Sequence, residues 1–515
     1  MAVLLLHSDD DVAVALTDLA QGDLVEVAGG SLPVIAPVAA GHKIAVRDLP
    51  AGTVVRKYGQ VIGVAIGDVS KGDHVHAHNL RIPDEDSWVR GRAGAANRPP
   101  AAGGSHQEPS IPDGLRRTFR GIRRPDGSVA TRNYIGVLTT VNCSATVARQ
   151  IVRRSEDFAE TVEGVDGVVA LTHGSGCGMS SSGEGFDLLR RTLTGYARHP
   201  NIGGLVVVGL GCEVNTLGSL EASLGLHASI PVQTFNIQDV GGTIGAIDHG
   251  VRAVRDMATR LAGTQRTEVG VEHLVLGLQC GGSDAWSGLT ANPALGVASD
   301  LLVACGGSSV LGETPEIYGA EHLLADRAVS GDVADALLAR IEWWREYTRS
   351  QGTSLDGNPS PGNKAGGITT ILEKSLGAVA KAGQSPLSAV CSYAEPIPRP
   401  GLSFMDTPGY DPVSVTGMVA GGATLICFTT GRGSVFGSRP APTVKLSSNA
   451  QTARRMAGDI DLDCSAILEN GLTVQEMGRQ VYDLLLDVAS GQHSASESLG
   501  FGHEEMVPWQ LGAVL

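Results

Sequence analysis

A chain of 515 residues, 42% of them hydrophobic, is too long for one ordinary core and too apolar to be disordered, so several packed units are expected. A net charge of −15 excludes broad electrostatic attraction to nucleic acid or an anionic membrane, and no run approaches the ~20 apolar residues of a membrane span. Eight scattered cysteines, 69 glycines and 4% aromatics point to reduced thiols in a cytoplasmic protein with many tight strand-to-helix turns, and not to a disulfide scaffold.

Residues 1–82 read as a small β-rich unit. Short alternating runs at Ala2–His7, Asp23–Val27, Lys43–Val46, Thr53–Lys57 and His74–His76 are separated by glycine turns such as Pro50-Ala51-Gly52. A strand over His74-Val75-His76-Ala77-His78 sets three imidazoles on one face, because strand side chains alternate. His7 and His42 lie in the same unit. This density points to metal or acid–base use, with a solvated edge strand or a polar interface as the plain alternative. Residues 83–117 are rich in Pro, Gly, Ala and Ser, have no periodicity and read as a linker.

From Thr118 the chain alternates strand and helix, which predicts an α/β body with mostly parallel sheets, divided into units 118–350 and 351–515. Apolar, β-branched runs at Tyr134–Val141, Val168–Leu171, Leu205–Leu210 and Leu274–Leu278 lead to Cys143, Cys177, Cys212 and Cys280. Helical spacing covers Ala145–Glu156, Glu184–Ala197, Ile247–Leu261 and Glu321–Thr348, the last with a polar break at Ser330-Gly331-Asp332. A polar loop over 355–370, strands at Leu402–Met405, Thr424–Thr429 and Thr443–Leu446, and a helix at Val474–Val488 complete the pattern.

All strand C-termini of a parallel sheet lie on one edge, where ligands bind. Four thiols delivered there point to a metal centre, with Glu213 beside Cys212 as a further ligand. Each cysteine taken alone also reads as a small buried hydrophobe. His173, four residues before Cys177, is an acid–base candidate or a hydrogen-bonded core histidine. Two prolines stiffen Asn358–Asn363, and Lys364 adds a compact charge, a combination suited to clamping a polyol carboxylate. The glycines of Phe428–Ser434 let backbone N–H groups approach an anion, and Arg432 can grip a carboxylate with two prongs. No GKT or GKS follows, which excludes P-loop nucleotide hydrolysis. Glu313 and Glu316 read as a solvated surface pair, with acid–base or metal use as the sharper alternative.

The segments TRNYIGVLTTVNCSATVARQ, GSGCG, GLGCE, LQCGGSDAWSGLTANPALG, GNPSPGNKAGG and FTTGRG resemble the altronate dehydratase and galactarate dehydratase family, and residues 1–82 resemble the SAF (β-clip) domain of those enzymes. The resemblance implies an iron-dependent dehydratase. Such an enzyme removes water from a sugar acid, an altronate-like hexonate or galactarate, to give a 2-keto-3-deoxy acid. It acts by α-proton abstraction and β-hydroxyl loss. It implies Fe2+, with an iron–sulfur cluster as the alternative and Mn2+ as a substitute ion. The metal ligands are then expected among Cys143, Cys177, Cys212, Cys280 and Glu213, and the catalytic groups among His42, His76, His173 and Lys364. Substrate contacts are expected from Ser283, Asp284, Asn292, Asn358, Asn363, Lys364 and Arg432. A sulfolactate-type sulfo-lyase, whose two parts are separate chains in that relative, and a non-catalytic sugar-acid sensor are the alternatives. A homodimer is a further expectation. After Gly433 the run Ser434-Val435-Phe436-Gly437 departs from the family pattern, which leaves substrate length and stereochemistry open.

Overall fold

Short alternating runs cannot bury both faces, and in the first unit they pair into antiparallel layers. The computed structural model describes residues 2–27, 30–83, 111–224 and 230–512, so most of the expected linker lies outside the described residues. Strands Val3–Leu4, Val12–Ala15, Lys43–Ala45 and His74–Val75 form one sheet, and Val54–Lys57, Gln60–Ala65 and Leu80–Arg81 another. Two small cores result, one around Val25, Leu32 and Ile44 and one around Leu49, Val55 and Ile62. The histidine strand is shorter than its alternation suggests. It ends at Val75, where Asn79 accepts from the His76 N–H and donates to the His74 carbonyl, turning the chain.

The β-branched runs of the body form two parallel sheets. The first is ordered Gly167–Leu171, Tyr134–Thr139, Ile202–Gly209, Val232–Asn236. Helices Ala145–Glu160 and Gly242–Leu261 cover one face, packing Ile151, Val254 and Met257 on Ile135, Val137 and Val206. The second sheet has seven strands, ordered Leu387–Cys391, Gly401–Met405, Ser308–Leu311, Val275–Cys280, Leu425–Thr430, Thr443–Ser447, Leu462–Asp463. Residue 350, the boundary expected from sequence, falls between strands of this one sheet. The sheet takes five of its seven strands only after the Gly331–Ser350 helix.

One core belongs to both body units. Leu138, Leu205 and Val207 of the first sheet and Val275, Val310 and Ile426 of the second enclose Leu189, Leu193 and Tyr196 of helix Glu184–Ala197 and Met418 and Val419 of helix Asp411–Ala420. The other face of the seven-stranded sheet is covered by helices Ala291–Ala304 and Val474–Ala489. Where a loop was expected over 355–370, Ser360 and Asn363 form a reciprocal cap that starts a short helix, Pro361–Ala365.

Candidate functional site

In the seven-stranded sheet the chain runs from Val275–Cys280 outward to one edge. It then returns to add Leu425–Thr430 on the other side, which makes the gap between these two strands a topological switch point. The loops beyond it are Cys280–Asp284 and Thr430–Gly433. Gly431 and Arg432 both donate their N–H to the Gly282 carbonyl, at 3.1 and 2.8 Å. Only glycine fits at 431, because a Cβ there would enter the Asp284 carboxylate.

Most of the polar residues expected to hold substrate are occupied in building this rim. Asp284 accepts from the N–H of Trp286 and Ser287 and the hydroxyls of Ser287 and Ser448 on one oxygen, and from Asn449 on the other. Burial raises its carboxyl, and these donors oppose that rise. Asn363 donates to the Ser283 carbonyl at 2.7 Å and accepts from Ser360 N–H. Asn292 bridges the Gly377 carbonyl and the Thr429 hydroxyl. Asn358 joins Lys374 to Glu316. By contrast, the Lys364 and Arg432 side chains make no hydrogen bond or ion pair among the described residues, Lys364 being partly exposed and Arg432 exposed.

The β unit docks onto this rim. Lys43 and Lys57, both fully buried, hold Glu373 of helix Ile371–Val379 between them at 2.9 and 2.8 Å, and Lys43 also donates to the Gly367 carbonyl. Burial and the Lys57 charge pull Lys43 down to about 8, while the Glu373 carboxylate pushes Lys57 up. Nothing local in the sequence marks this triad, whose glutamate lies more than 300 positions from either lysine.

Docking brings His42 against the Pro361–Ala365 helix, with His74 and His76 beside it. His42 Nδ1 lies 3.0 Å from His74 Nε2, and His42 Nε2 lies 3.4 Å from the Ala365 carbonyl. The ring of His76 is 4.7 Å from that of His42, and that of His78 is 5.3 Å from His74. Desolvation first, then the neighbouring imidazoles and Lys43, lower His74 to about 4 and His76 to about 3. His76 Nδ1 is buried without a hydrogen-bond partner, and one donor atom from each of His42, His74 and His76 lies within 4.8 Å of the others. Neutral imidazoles, an orphaned ring nitrogen and a 3.0 Å nitrogen pair fit a divalent cation, since ~2.1 Å bonds at right angles place two nitrogens about 3 Å apart.

The four strand-end cysteines divide between the sheets. Cys143, Cys177 and Cys212 are exposed beyond the first sheet, whereas Cys280 is buried at the end of its strand in the second. Cys280 Sγ accepts from Lys381 Nζ at 2.9 Å and lies 3.6 Å from Glu313 and 3.8 Å from Glu316. Burial, then Glu313, pushes its thiol up to about 12. Glu313 and Glu316 are 1% and 4% exposed, so the solvated-pair reading gives way to a buried network in which Lys381 pairs with Glu313 and Lys374 with Glu316. Sequence gave no sign of either lysine, because each lies on a helix far along the chain. The two lysines offset the two glutamates, while Gln279, which donates to Glu313, keeps a buried Oε1 without a partner, and Cys280, Glu313 and Glu316 each offer a ligand atom within 4.8 Å of the others. His173 uses both ring nitrogens, on the Thr139 carbonyl at 3.1 Å and on Ser175, and burial lowers it to about 4. Glu213 accepts from the Thr140 hydroxyl and from the N–H of Leu210 and Gly211.

Across the chain, the fold defines an architecture before a family: an antiparallel β unit seated on the strand-end loops of a parallel-sheet α/β body. Family models match all three parts: the altronate/galactarate dehydratase SAF domain over residues 1–83, the D-galactarate dehydratase/altronate hydrolase second domain over 121–262, and the D-galactarate/altronate dehydratase C-terminal domain over 271–514. The chain is 35% identical to an altronate dehydratase of Escherichia coli (strain K12) over 100% of both chains, and 33% identical to one of Bacillus subtilis (strain 168) over 99% of both. It is 35% identical to a galactarate dehydratase (L-threo-forming) of Escherichia coli (strain K12), over 95% of this chain and 92% of that one. The chain belongs to the altronate/galactarate dehydratase family. Among the described residues, no helix is long and apolar enough to cross a membrane.

Proposed function

We propose that the protein dehydrates a hexonate of the altronate type, with a hexarate of the galactarate type as the second substrate to test, and that a ferrous ion held by His42, His74 and His76 serves this reaction. The observation that carries the reading is the seating of this histidine triad, through His42, against the Pro361–Ala365 helix, on a rim whose cations Lys364 and Arg432 make no hydrogen bond or ion pair among the described residues. A divalent ion there supplies electrostatic stabilisation of the enediolate that forms when the α-proton leaves.

The chain's own groups then divide the remaining work. Arg432 holds the substrate carboxylate in a two-pronged grip, and the fixed Gly282 carbonyl sets the position of its backbone. Lys364 is the acid–base group: its neutral amine takes the α-proton and then delivers that proton to the departing β-hydroxyl, which leaves as water. His42 and His76 act as ligands and not as bases, because burial holds both imidazoles below their ordinary basicity, His76 down to about 3. His173 orders the Cys177 loop. Asp284, Asn292, Asn358 and Asn363 fix the shape of the rim, and Ser283 presents its carbonyl to that framework.

An anaerobic assay of iron-loaded protein against a panel of hexonates and hexarates, reading 2-keto-3-deoxy acid, tests the proposal. Turnover of at least one member is expected. Absence of product from every member, with the protein folded and iron bound, overturns it.

A further inference from the structure

The exposed thiols of the first body sheet are the chemistry that this proposed function leaves unused. Strand pairing aligns Leu138 with Leu171 on one side and with Val207 on the other. Cys143 stands five residues past Leu138, Cys177 six past Leu171 and Cys212 five past Val207. The three cysteines therefore leave three adjacent strands at one level of the same edge, on neighbours spaced about 4.8 Å apart.

The loops that carry them are tied to one another. The N–H of Asn142, next to Cys143, donates to the Ser175 carbonyl at 2.9 Å. Gly176, next to Cys177, accepts from Asn215 N–H at 3.1 Å, and Asn215 Nδ2 donates to the Thr140 carbonyl at 3.0 Å. Gly176 has φ +99°, and a Cβ there would strike the Thr140–Val141 backbone, so glycine is what lets the Cys177 loop close on the Cys143 loop. Buried Glu213 pins the turn of Cys212 by accepting the N–H of Leu210 and Gly211, and Gln238 donates to the Cys212 sulfur at 3.7 Å.

These thiols do not behave as packing residues, because all three are exposed and free of disulfides. Their spacing also selects the ligand. A single ion with bonds of ~2.3 Å needs its sulfurs within about 4 Å of one another. Among the described residues, the donor groups that all lie within 4.8 Å are the histidine triad and Cys280 with Glu313 and Glu316, so the three thiols stand wider apart than one ion spans. A polynuclear centre spans more than a single ion does, and thiolates are its natural ligands.

We propose that Cys143, Cys177 and Cys212 hold a [4Fe–4S] cluster through three thiolates, leaving its fourth iron without a protein thiolate. Each thiol loses its proton on ligation, and iron and sulfide come from outside the chain. The site is separate from the histidine centre of the proposed function and does not depend on it.

The test is anaerobic reconstitution of the full chain with ferrous iron and sulfide. Expected are a broad visible absorption bleached by dithionite and about four sulfides per chain, with about four irons beyond the one that the histidine triad takes up in the absence of sulfide. Cys143→Ser, Cys177→Ser and Cys212→Ser should each lose the band and the sulfide, while Cys280→Ser and Cys305→Ser keep both. Thiol alkylation read by mass spectrometry covers any variant that fails to fold: in wild-type protein the three cysteines should label before reconstitution and resist labelling after it. His42→Ala should abolish turnover with the band intact, which separates failure of the catalytic proposal from failure of this one. Iron uptake with no sulfide incorporated on reconstitution, a band that survives in all three serine variants, or equal labelling in both states overturns the cluster.

Discussion

Lys364 and Arg432 are the two rim cations that the fold does not consume. In a chain of net charge −15 they are left to offset the field against a carboxylate substrate. Removing a charged partner from a desolvated carboxylate costs ~2–5 kcal/mol, and ~1.4 kcal/mol is one decade. Lys364→Ala and Arg432→Lys are each expected to lower kcat/KM at least about tenfold in steady-state kinetics, the second because an ammonium lacks the flat fork. Near-wild-type values in both would make these loops structural. His76→Ala should abolish divalent-ion binding at the triad, measured by metal content after chelation and reloading, because it removes the nitrogen that has no protein partner. The sequence marked the rim segments and the histidines, since both are local runs of unusual composition. It did not distinguish Asn363, which ties two loops together, from Lys364 beside it, because that difference lies in a bond to Ser283 some 80 positions away.

At the scale of the element, helix Ile371–Val379 is the dock. Its Glu373 takes both buried lysines of the β unit, and its N-cap Thr370 donates to the Ile62 carbonyl at 2.6 Å. Removing one member of a buried charge cluster leaves the others unpaired and typically costs ~3–5 kcal/mol. Glu373→Ala is therefore expected to split the thermal unfolding transition in two, with the β unit melting first, as read by calorimetry and by proteolysis of residues 2–83. A single unshifted transition would count against the dock. The strands and helices themselves were largely legible, because β-branched runs and helical spacing are local signals. Helix Ala145–Glu160, for example, extends only one turn beyond its predicted end. The polar break expected at Ser330-Gly331-Asp332 is a helix cap, where the Ser330 hydroxyl accepts from Val333 N–H and the stretch divides into two helices. The lysines of the Cys280 network were not legible, since their partners are fixed by tertiary packing alone.

For the whole molecule, acid is the weak direction. His199 joins the two body units, its Nε2 on the Ala423 carbonyl and its Nδ1 accepting from Asn201 N–H. Burial holds His199 and His173 at about 4 in the folded protein, against about 6.5 when unfolded. Between those values the unfolded chain binds more protons, so stability is complete above pH ~6.5 and is lost progressively as pH falls toward ~4. The thermal midpoint should drop through this window, and His199→Gln should flatten part of the slope. An equally steep profile in that variant would exclude His199 as a contributor. Because helices Glu184–Ala197 and Asp411–Ala420 lie in a core common to both sheets, the body units should melt together.

The buried Lys43–Glu373–Lys57 triad has a consequence for the covalent link between the β unit and the body. If packed charges and backbone contacts hold the two parts, the peptide segment between residues 83 and 111 acts chiefly by setting a local concentration. Cutting that segment at an inserted protease site should leave two polypeptides that co-elute at micromolar concentration and retain turnover. Diluting the nicked protein should then lower activity in a way that the intact chain does not show. Fusion of the parts would in that case be a matter of stoichiometry and assembly rate, and the chemistry would be indifferent to whether one gene product or two delivered them.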